Sequence, residues 1–211
     1  MLHARMLPGD DPAEHLAEEV RLLKAIGGET HLLFYINRPC VILGRNNREE
    51  EWVFADAIRD AGIPLLRRIS GGGTVYHDTG TLNYSLVMAR ERFDRLRGGA
   101  KPMDYFRKMV IDALTPLGLH LSMGKLSDIN LNGRKISGNA ARLTRRSVLL
   151  HGTMLLTVDF AAMERFLKIP PNRAGVPHRE FVTSLEQEGV MLKSEELLQV
   201  LIDGVEKRLD A

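Results

Sequence analysis

Three consecutive glycines, Gly71-Gly72-Gly73, interrupt a run of strand-forming residues, and no other local feature restricts this chain as strongly. Ile63 to Ile69 reads as a strand running into Ser70 and the glycines, and Thr74-Val75-Tyr76 resumes strand character beyond them. Backbone without side chains lets N–H groups crowd around a ligand where any Cβ would block approach. Arg67 and Arg68 stand immediately upstream and supply planar, permanently charged donors suited to phosphate or carboxylate. Ser70, Tyr76 and His77 add hydrogen-bonding groups. The spacing matches neither the Walker loop, which ends in Gly-Lys-Ser/Thr, nor the dinucleotide fingerprint, whose glycines open a helix. Alone, the glycines describe a flexible hairpin corner; with the arginines, Tyr76 and His77 attached, they form a candidate binding loop.

Strands dominate the middle of the chain and helices flank them. Asp11, Pro12 and Glu14 form a helix start, after which Ala13, Leu16, Val20 and Leu23 recur at helical spacing and predict a buried stripe. His31 to Ile36 and Cys40 to Leu43 read as short strands around an Asn37-Arg38-Pro39 turn, and Trp52 to Ala61 as a helix. Thr81 to Met88 alternates Leu82, Tyr84, Leu86 and Met88 with Asn83 and Ser85, which predicts one buried and one polar face. Arg90 to Lys101 reads as a charged connector, and Pro102 opens a helix with Phe106, Met109, Val110, Ala113 and Leu114 inward. His120 to Met123 and Ile129 to Leu131 are short strands; Asn132-Gly133 is a hairpin turn returning through Arg134 to Ser137. Ser147 to Val158 reads as a long strand broken at His151-Gly152. Helices follow at Asp159 to Leu167 and Ser194 to Leu209, joined by a loop around Pro170-Pro171 and Pro177. With 211 residues and no repeat or linker, this is one α+β domain over residues 1–211, a mixed sheet flanked by helices.

Composition removes several function classes. The formal charge of +2, from 29 basic and 27 acidic residues, gives no global reason to expect nucleic acid or an anionic membrane as partner. The longest apolar run, Leu32 to Ile36, is far short of the roughly 20 residues of a membrane span. The amino end lacks the apolar core of a targeting segment, so a cytoplasmic location is expected. One cysteine, Cys40, excludes an internal disulfide, and the seven histidines show no metal-like spacing, so no protein-bound structural metal is expected.

A second constellation, Asn132-Gly133-Arg134-Lys135-Ile136-Ser137-Gly138-Asn139-Ala140, places a lysine on a hairpin strand ahead of Ser-Gly. Such a lysine suits an anion held against close backbone, although by itself it reads equally as a solvated hairpin lysine. His151-Gly152-Thr153 is a third, with His151 more typical of a hydrogen-bonded structural residue than of a ligand or base.

Together these stretches resemble the lipoate–protein ligases, relatives of the biotin protein ligases and the lipoyl/octanoyl transferases. Asp11-Pro12 with Leu16-Ala17-Glu18-Glu19 is similar to the family's opening helix, and Pro39 to Asn46 to its second strand and turn. Arg67 through Asp78 is similar to its arginine and triple-glycine signature, and Gly133 to Gly138 to its lysine motif. His151 to Leu156 and Val182-Thr183-Ser184-Leu185 follow in the family's order.

The resemblance implies a biotin/lipoyl ligase-like fold and ATP-dependent, amide-forming chemistry with Mg²⁺. Lipoate or octanoate is activated to an acyl-adenylate and passed to a lysine of a lipoyl carrier domain. It implies that Lys135 is the catalytic residue, bridging the acyl carbonyl and α-phosphate oxygens. Arg68 and the Gly73, Thr74, Val75 and Tyr76 segment, with Lys135, would contact the nucleotide. Gly72, Gly73, His77, Lys135 and Gly138 would line an apolar lipoyl channel, and Asp128 would lie near metal and phosphates. Separately from the resemblance, Arg142, Arg145 and Arg146, with Arg90 to Lys101, form basic stretches on connectors expected to be exposed, which suit the steering of an acidic carrier and equally a solvated face.

Two departures stand out. Thioester-forming relatives carry a cysteine shortly before the lysine motif, and Leu121 to Leu131 has none. Some ligases also carry a C-terminal accessory domain, absent from this sequence, which leaves two expectations: a separate accessory subunit supplies that part, or the adenylate-forming step is weak and this chain chiefly transfers a supplied lipoyl-adenylate. An ATP-independent octanoyl or lipoyl transferase and a non-catalytic lipoyl-adenylate or carrier-binding module are the alternatives. A biotin ligase is disfavoured because its lysine motif carries a tryptophan, and the only tryptophan here is Trp52.

Overall fold

The computed structural model describes residues 1–170, 173, 175–192 and 194–210. Among the described residues ten strands run in chain order: β1 (Leu2–Met6), β2 (Thr30–Ile36), β3 (Cys40–Leu43), β4 (Leu65–Arg67), β5 (Val75–His77), β6 (Thr81–Ala89), β7 (Leu121–Met123), β8 (Asp128–Leu131), β9 (Arg134–Leu143) and β10 (Ser147–Leu155). Seven form a mixed sheet in the order β1-β2-β6-β10-β9-β8-β7, and β4-β3-β5 form a smaller sheet beside it. This is the expected α+β arrangement, with one mixed sheet and flanking helices.

The large sheet is closed on one face by apolar packing. Leu32, Phe34, Leu82, Tyr84, Leu86, Met88, Val148 and Leu150 meet Phe106, Met109, Val110 and Leu114 of the Pro102–Leu114 helix, which is backed by Leu197, Leu201 and Val205 of the Ser194–Leu209 helix. Each such fully buried side chain contributes about 1.5–3 kcal/mol. On the opposite face Leu33, Tyr35, Val87 and Leu149 pack on Leu7, Leu22 and Leu23, beneath the Pro12–Ala25 helix.

That helix begins as its sequence dictates: Asp11 accepts from the Ala13 N–H at 2.8 Å and Pro12 occupies the first turn. Its buried side differs from the expected stripe. His15, Glu19, Leu22 and Leu23 point inward, while Ala13 is exposed. The reason lies in the sheet, whose face under the helix has a polar middle that only polar side chains can satisfy.

Other differences have similar causes. Asn83 and Ser85 are buried, because β6 is a central strand covered on both faces. The expected charged connector from Arg90 is a helix, Arg90–Arg97, anchored by fully buried Phe93, with Arg90 and Arg97 both paired to Asp94 at 2.7 Å. The β10 strand continues through His151-Gly152 in unbroken register with β6 and β9. The single helix expected over Trp52 to Ala61 is two short ones, Glu49–Trp52 and Ala55–Asp60, parted where Val53 bridges to Leu167. Asn132 and Gly133 do turn the β8–β9 hairpin with φ of 50° and 85°. In the loop after the Phe160–Phe166 helix, Pro171 lies outside the described residues. Among the described residues no helix is long and apolar enough to cross a membrane.

Candidate active site

Strand register builds the floor of a cleft. Tyr35, Asn83 and Thr153 are directly opposite one another across β2, β6 and β10, and Leu33, Ser85, His151 and Ala140 form the next row across β2, β6, β10 and β9. Residues two apart share a strand face, so both rows lie under the Pro12–Ala25 helix. The glycine loop and β5 form the facing wall. The cleft holds about 480 Å³, and its walls include Arg68, Gly72, Gly73, Thr74, Val75, His77, Asp128, Lys135 and Gly138. Thus Gly73 of the loop and Lys135, 62 residues apart in sequence, face one space.

Arg68 is almost fully buried and its guanidinium is engaged on the loop itself. It donates to Ser70 Oγ at 3.0 Å, to the Gly71 and Gly73 carbonyls at 2.6 and 2.8 Å, and to the Ile42 carbonyl at 3.4 Å. Burial lowers its pKa to about 10, which leaves it charged at neutral pH. Its first structural role is therefore to curl the glycine backbone around a fixed cation. Arg67 faces the other way and donates to the carbonyls of Gly44, Arg45 and Asn47, at 2.9, 3.3 and 2.7 Å. Gly44 is required there, since a Cβ at that position would lie 2.2 Å from the Gly72 carbonyl oxygen.

Behind the loop runs a buried polar chain that the sequence did not reveal. Ser70 Oγ lies 2.6 Å from His151 Nε2, and His151 Nδ1 lies 3.0 Å from Glu19, which also accepts from Tyr35 at 2.8 Å and from Ser85. Burial pushes the Glu19 carboxyl up, but the charge of His151 and the three hydrogen bonds outweigh it and hold it below the usual range. The connectivity is that of a serine hydrolase triad. Ser70, however, has no exposed surface, and its Oγ is held between His151 and Arg68, so the array braces the loop instead of presenting a nucleophile.

Lys135 reaches the cleft from the start of β9. Its Nζ lies 2.9 Å from Asp128 Oδ1, and Arg173 pairs with the other Asp128 oxygen at 3.1 Å. The end of the Lys135 side chain lies against Gly138, where a Cβ would sit 3.0 Å from Nζ and 3.1 Å from Cε. Asp128 is fixed through its backbone by Arg107, a buried residue that donates to the carbonyls of Asp128 and Gly124 at 3.1 and 2.9 Å. Arg107 and Arg173 escaped the sequence reading because nothing local marks a helix arginine or a loop arginine as inward-facing.

Of the residues expected at the site, Tyr76 is the one the structure turns away. Strand alternation sends Val75 and His77 into the cleft, and Tyr76 into the core against Phe166 with ring centroids 5.6 Å apart. Thr74 lines the wall and donates to Asn47 Oδ1 at 3.2 Å. Cys40 is fully buried, and burial pushes its thiol up to about 12. A thiolate is the reactive species, so this thiol is inert at neutral pH.

A mixed sheet with a glycine loop facing a hairpin lysine across one cleft places the chain in the biotin/lipoyl ligase class of folds. The chain belongs to the family of the lipoyl protein ligase A/B catalytic domain, whose model matches residues 11–206. It is similar to lipoate–protein ligase 1 of Staphylococcus aureus, 37% identical over 162 residues that make up 76% of this chain and 48% of that protein. Among solved structures it is similar to the bi-partite lipoate protein ligase of Thermoplasma acidophilum, described with its E2 lipoyl domain. That match has a TM-score of 0.84 at 29% identity and covers 100% of this chain and 85% of the other. A lipoate-protein ligase A bound with ATP superposes with a TM-score of 0.84 at 29% identity, over 99% and 85% of the two chains. The chain spans about half the length of the curated relatives it matches.

Proposed function

We propose that this chain carries the acyl-transfer chemistry of a lipoate–protein ligase, activating lipoate with ATP and passing the lipoyl group to a lysine of a carrier domain. The observation that carries the reading is the Lys135 ammonium, held by Asp128 over Gly138 on the wall opposite the Arg68-braced glycine loop. In the first half-reaction the carboxylate of the acid attacks the α-phosphate of ATP and pyrophosphate leaves. The obstacle is the approach of two anions, which a fixed ammonium and preorganised backbone donors lower without an enzyme nucleophile. Lys135 donates to the acyl carbonyl and α-phosphate oxygens, exchanging its bond to Asp128 for bonds to the ligand. In the second half-reaction the carrier's ε-amine attacks the mixed anhydride and AMP departs, again with charge growing where Lys135 sits.

The acid binds with its carboxyl end near Lys135 and Gly138 and its tail along the floor beside Gly72, Gly73 and His77. The nucleotide lies against Gly73, Thr74 and Val75, with Arg68 acting through the loop it curls and Tyr76 contributing backbone alone. Among the described residues no three His, Cys, Asp or Glu side chains cluster to hold a metal, and Asp128 is a single carboxylate. That donor set fits Mg²⁺ held chiefly by substrate phosphates, with one carboxylate and water completing its shell. When bound, Mg²⁺ neutralises phosphate charge. The bi-partite Thermoplasma ligase supports a separate accessory subunit in the activation step and a lipoyl domain as acceptor. The inert Cys40 thiol weighs against a thioester route.

The test incubates the protein with lipoate, ATP and Mg²⁺, and separately with preformed lipoyl-adenylate, each with a lipoyl carrier domain. Pyrophosphate release reports activation and carrier mass reports transfer. Lys135→Ala is expected to lose both by about 10²–10³-fold while remaining folded. Wild-type rates in that variant would overturn the role of Lys135, and no transfer by wild type from lipoyl-adenylate would overturn the function.

A further inference from the structure

The carboxylate of Asp128 serves two cations at once. Lys135 Nζ lies 2.9 Å from Oδ1 and Arg173 Nη2 lies 3.1 Å from Oδ2, so each oxygen has its own partner. Asp128 is 9% exposed and its backbone carbonyl is held by buried Arg107, which leaves the carboxylate little freedom to turn toward water. A carboxylate so placed is costly to leave unpaired.

Arg173 is anchored independently of the lysine side chain. Its guanidinium carbon lies 4.2 Å from the centroid of the Phe181 ring, within the range of a cation–π contact. Phe181 ends a short helix, His178–Phe181, and the residues after it run beside β9. Val182 bridges to Lys135, and the Thr183 N–H donates to the Lys135 carbonyl at 2.8 Å. Arg173, Phe181, Asp128 and Lys135 all line the cleft. The arginine is thus fixed against the segment that carries the lysine backbone, and nothing in that anchoring changes when the lysine side chain moves.

We propose that Arg173 is a positioning residue that keeps Asp128 neutralised while Lys135 leaves it for the adenylate, and so sets how readily the lysine is released to the ligand. This rests on the ligase reading above. Two cations on one carboxylate leave this group a single positive charge in excess, which matches the single phosphate charge of an acyl-adenylate. With Lys135 on the phosphate and Arg173 on Asp128, every charge keeps an opposite partner. Without Arg173, phosphate and carboxylate compete for one ammonium, and the loser is an anion shut away from water. Arg173 acts through Asp128 and touches no reacting atom.

The test measures the affinity of the full chain for a non-hydrolysable lipoyl-adenylate mimic, without added metal, and the rate of transfer from preformed lipoyl-adenylate to a lipoyl carrier domain. Arg173→Met, which keeps the bulk and removes the charge, is expected to weaken binding and to slow transfer, each by about tenfold or more. Arg173→Lys restores a cation and is expected to recover most of both losses. The same Arg173→Met change made in an Asp128→Asn background, where no anion is left to neutralise, is expected to cost less than about twofold. Should the Met variant fail to fold, Arg173→Gln enters the same cycle. An undiminished loss in the Asn background would assign Arg173 to the ligand or to the fold, and an unaltered affinity in Arg173→Met would leave it no part in binding. Either result overturns the inference and leaves the ligase reading standing. If wild type neither binds the mimic nor transfers from lipoyl-adenylate, both fall.

Discussion

Burial first, reinforced by the positive charge of nearby Arg68 and His151 and opposed by Glu19, sets the behaviour of His77. In the unfolded chain its imidazole titrates near 6.5, whereas in the fold burial pushes it down to about 3. The unfolded state therefore binds more protons between those values, and stability rises with pH across that window. The contribution is fully present above pH 6.5 and is lost as the pH falls toward 3. From pH 7 to pH 5 the loss amounts to about 2 kcal/mol. Glu19, held below the usual carboxylate range, acts in the same direction, but only below the 4.5 of the unfolded chain. His31 and His178 are also lowered by burial and belong to the background. Urea unfolding at pH 7 and pH 5 should show His77→Gln losing about 2 kcal/mol less than wild type over that interval. Parallel losses in the two proteins would mean that the folded ring is protonated and its Nε2 solvated.

At the scale of elements, what the sequence exposes is local and what it hides is pairing. The Asp11 cap, the Asn132-Gly133 turn and the inward face of the Pro102–Leu114 helix are written in neighbouring residues, and they appear as expected. The buried stripe of the first helix is different. Its inward side follows from Tyr35, Ser85 and His151 on three strands, and no periodicity within Pro12–Ala25 encodes them. Similarly, the motif order made the glycine loop and Lys135 legible as one site, while Tyr76 was misplaced because side-chain alternation depends on where β5 starts. The contact of Gly44 with the loop belongs to the same hidden layer. In Gly44→Ala the new Cβ meets the Gly72 carbonyl oxygen at 2.2 Å and Asn47 Oδ1 at 2.5 Å, and backbone cannot swing aside as a side-chain tip can. The variant is expected to lose about 1–3 kcal/mol of stability. Because the loop itself must shift, affinity for a non-hydrolysable lipoyl-adenylate mimic should fall more than tenfold. Unaltered affinity, with only the melting temperature reduced, would show that this loop does not shape the ligand site.

Over the whole molecule, the sheet divides labour between its faces and between its ends. One face is sealed by apolar helices, and the other keeps a polar floor under a single helix, so that a cleft can open without loss of the main core. The ends matter for the carrier. Lys135 stands at the start of β9, and Arg142 lies seven residues along the same strand, about 23 Å away. Arg145 and Arg146 occupy the turn beyond it and are exposed, whereas Arg142 is half-buried. The Arg90–Arg97 helix meets that turn through an Arg90 N–H to Arg146 carbonyl bond of 2.9 Å, and two of its arginines are already paired with Asp94. The basic stretches that looked suited to steering a carrier thus gather at the end remote from the lysine. At physiological ionic strength charges are screened within about 8 Å, so an amine approaching Lys135 does not feel them. Replacing Arg145 and Arg146 with alanine is expected to leave the rate of transfer from lipoyl-adenylate, and its salt dependence, within about twofold of wild type. A marked slowing that fades as salt is raised would return the carrier to that turn, and would require its footprint to extend along the full length of β9.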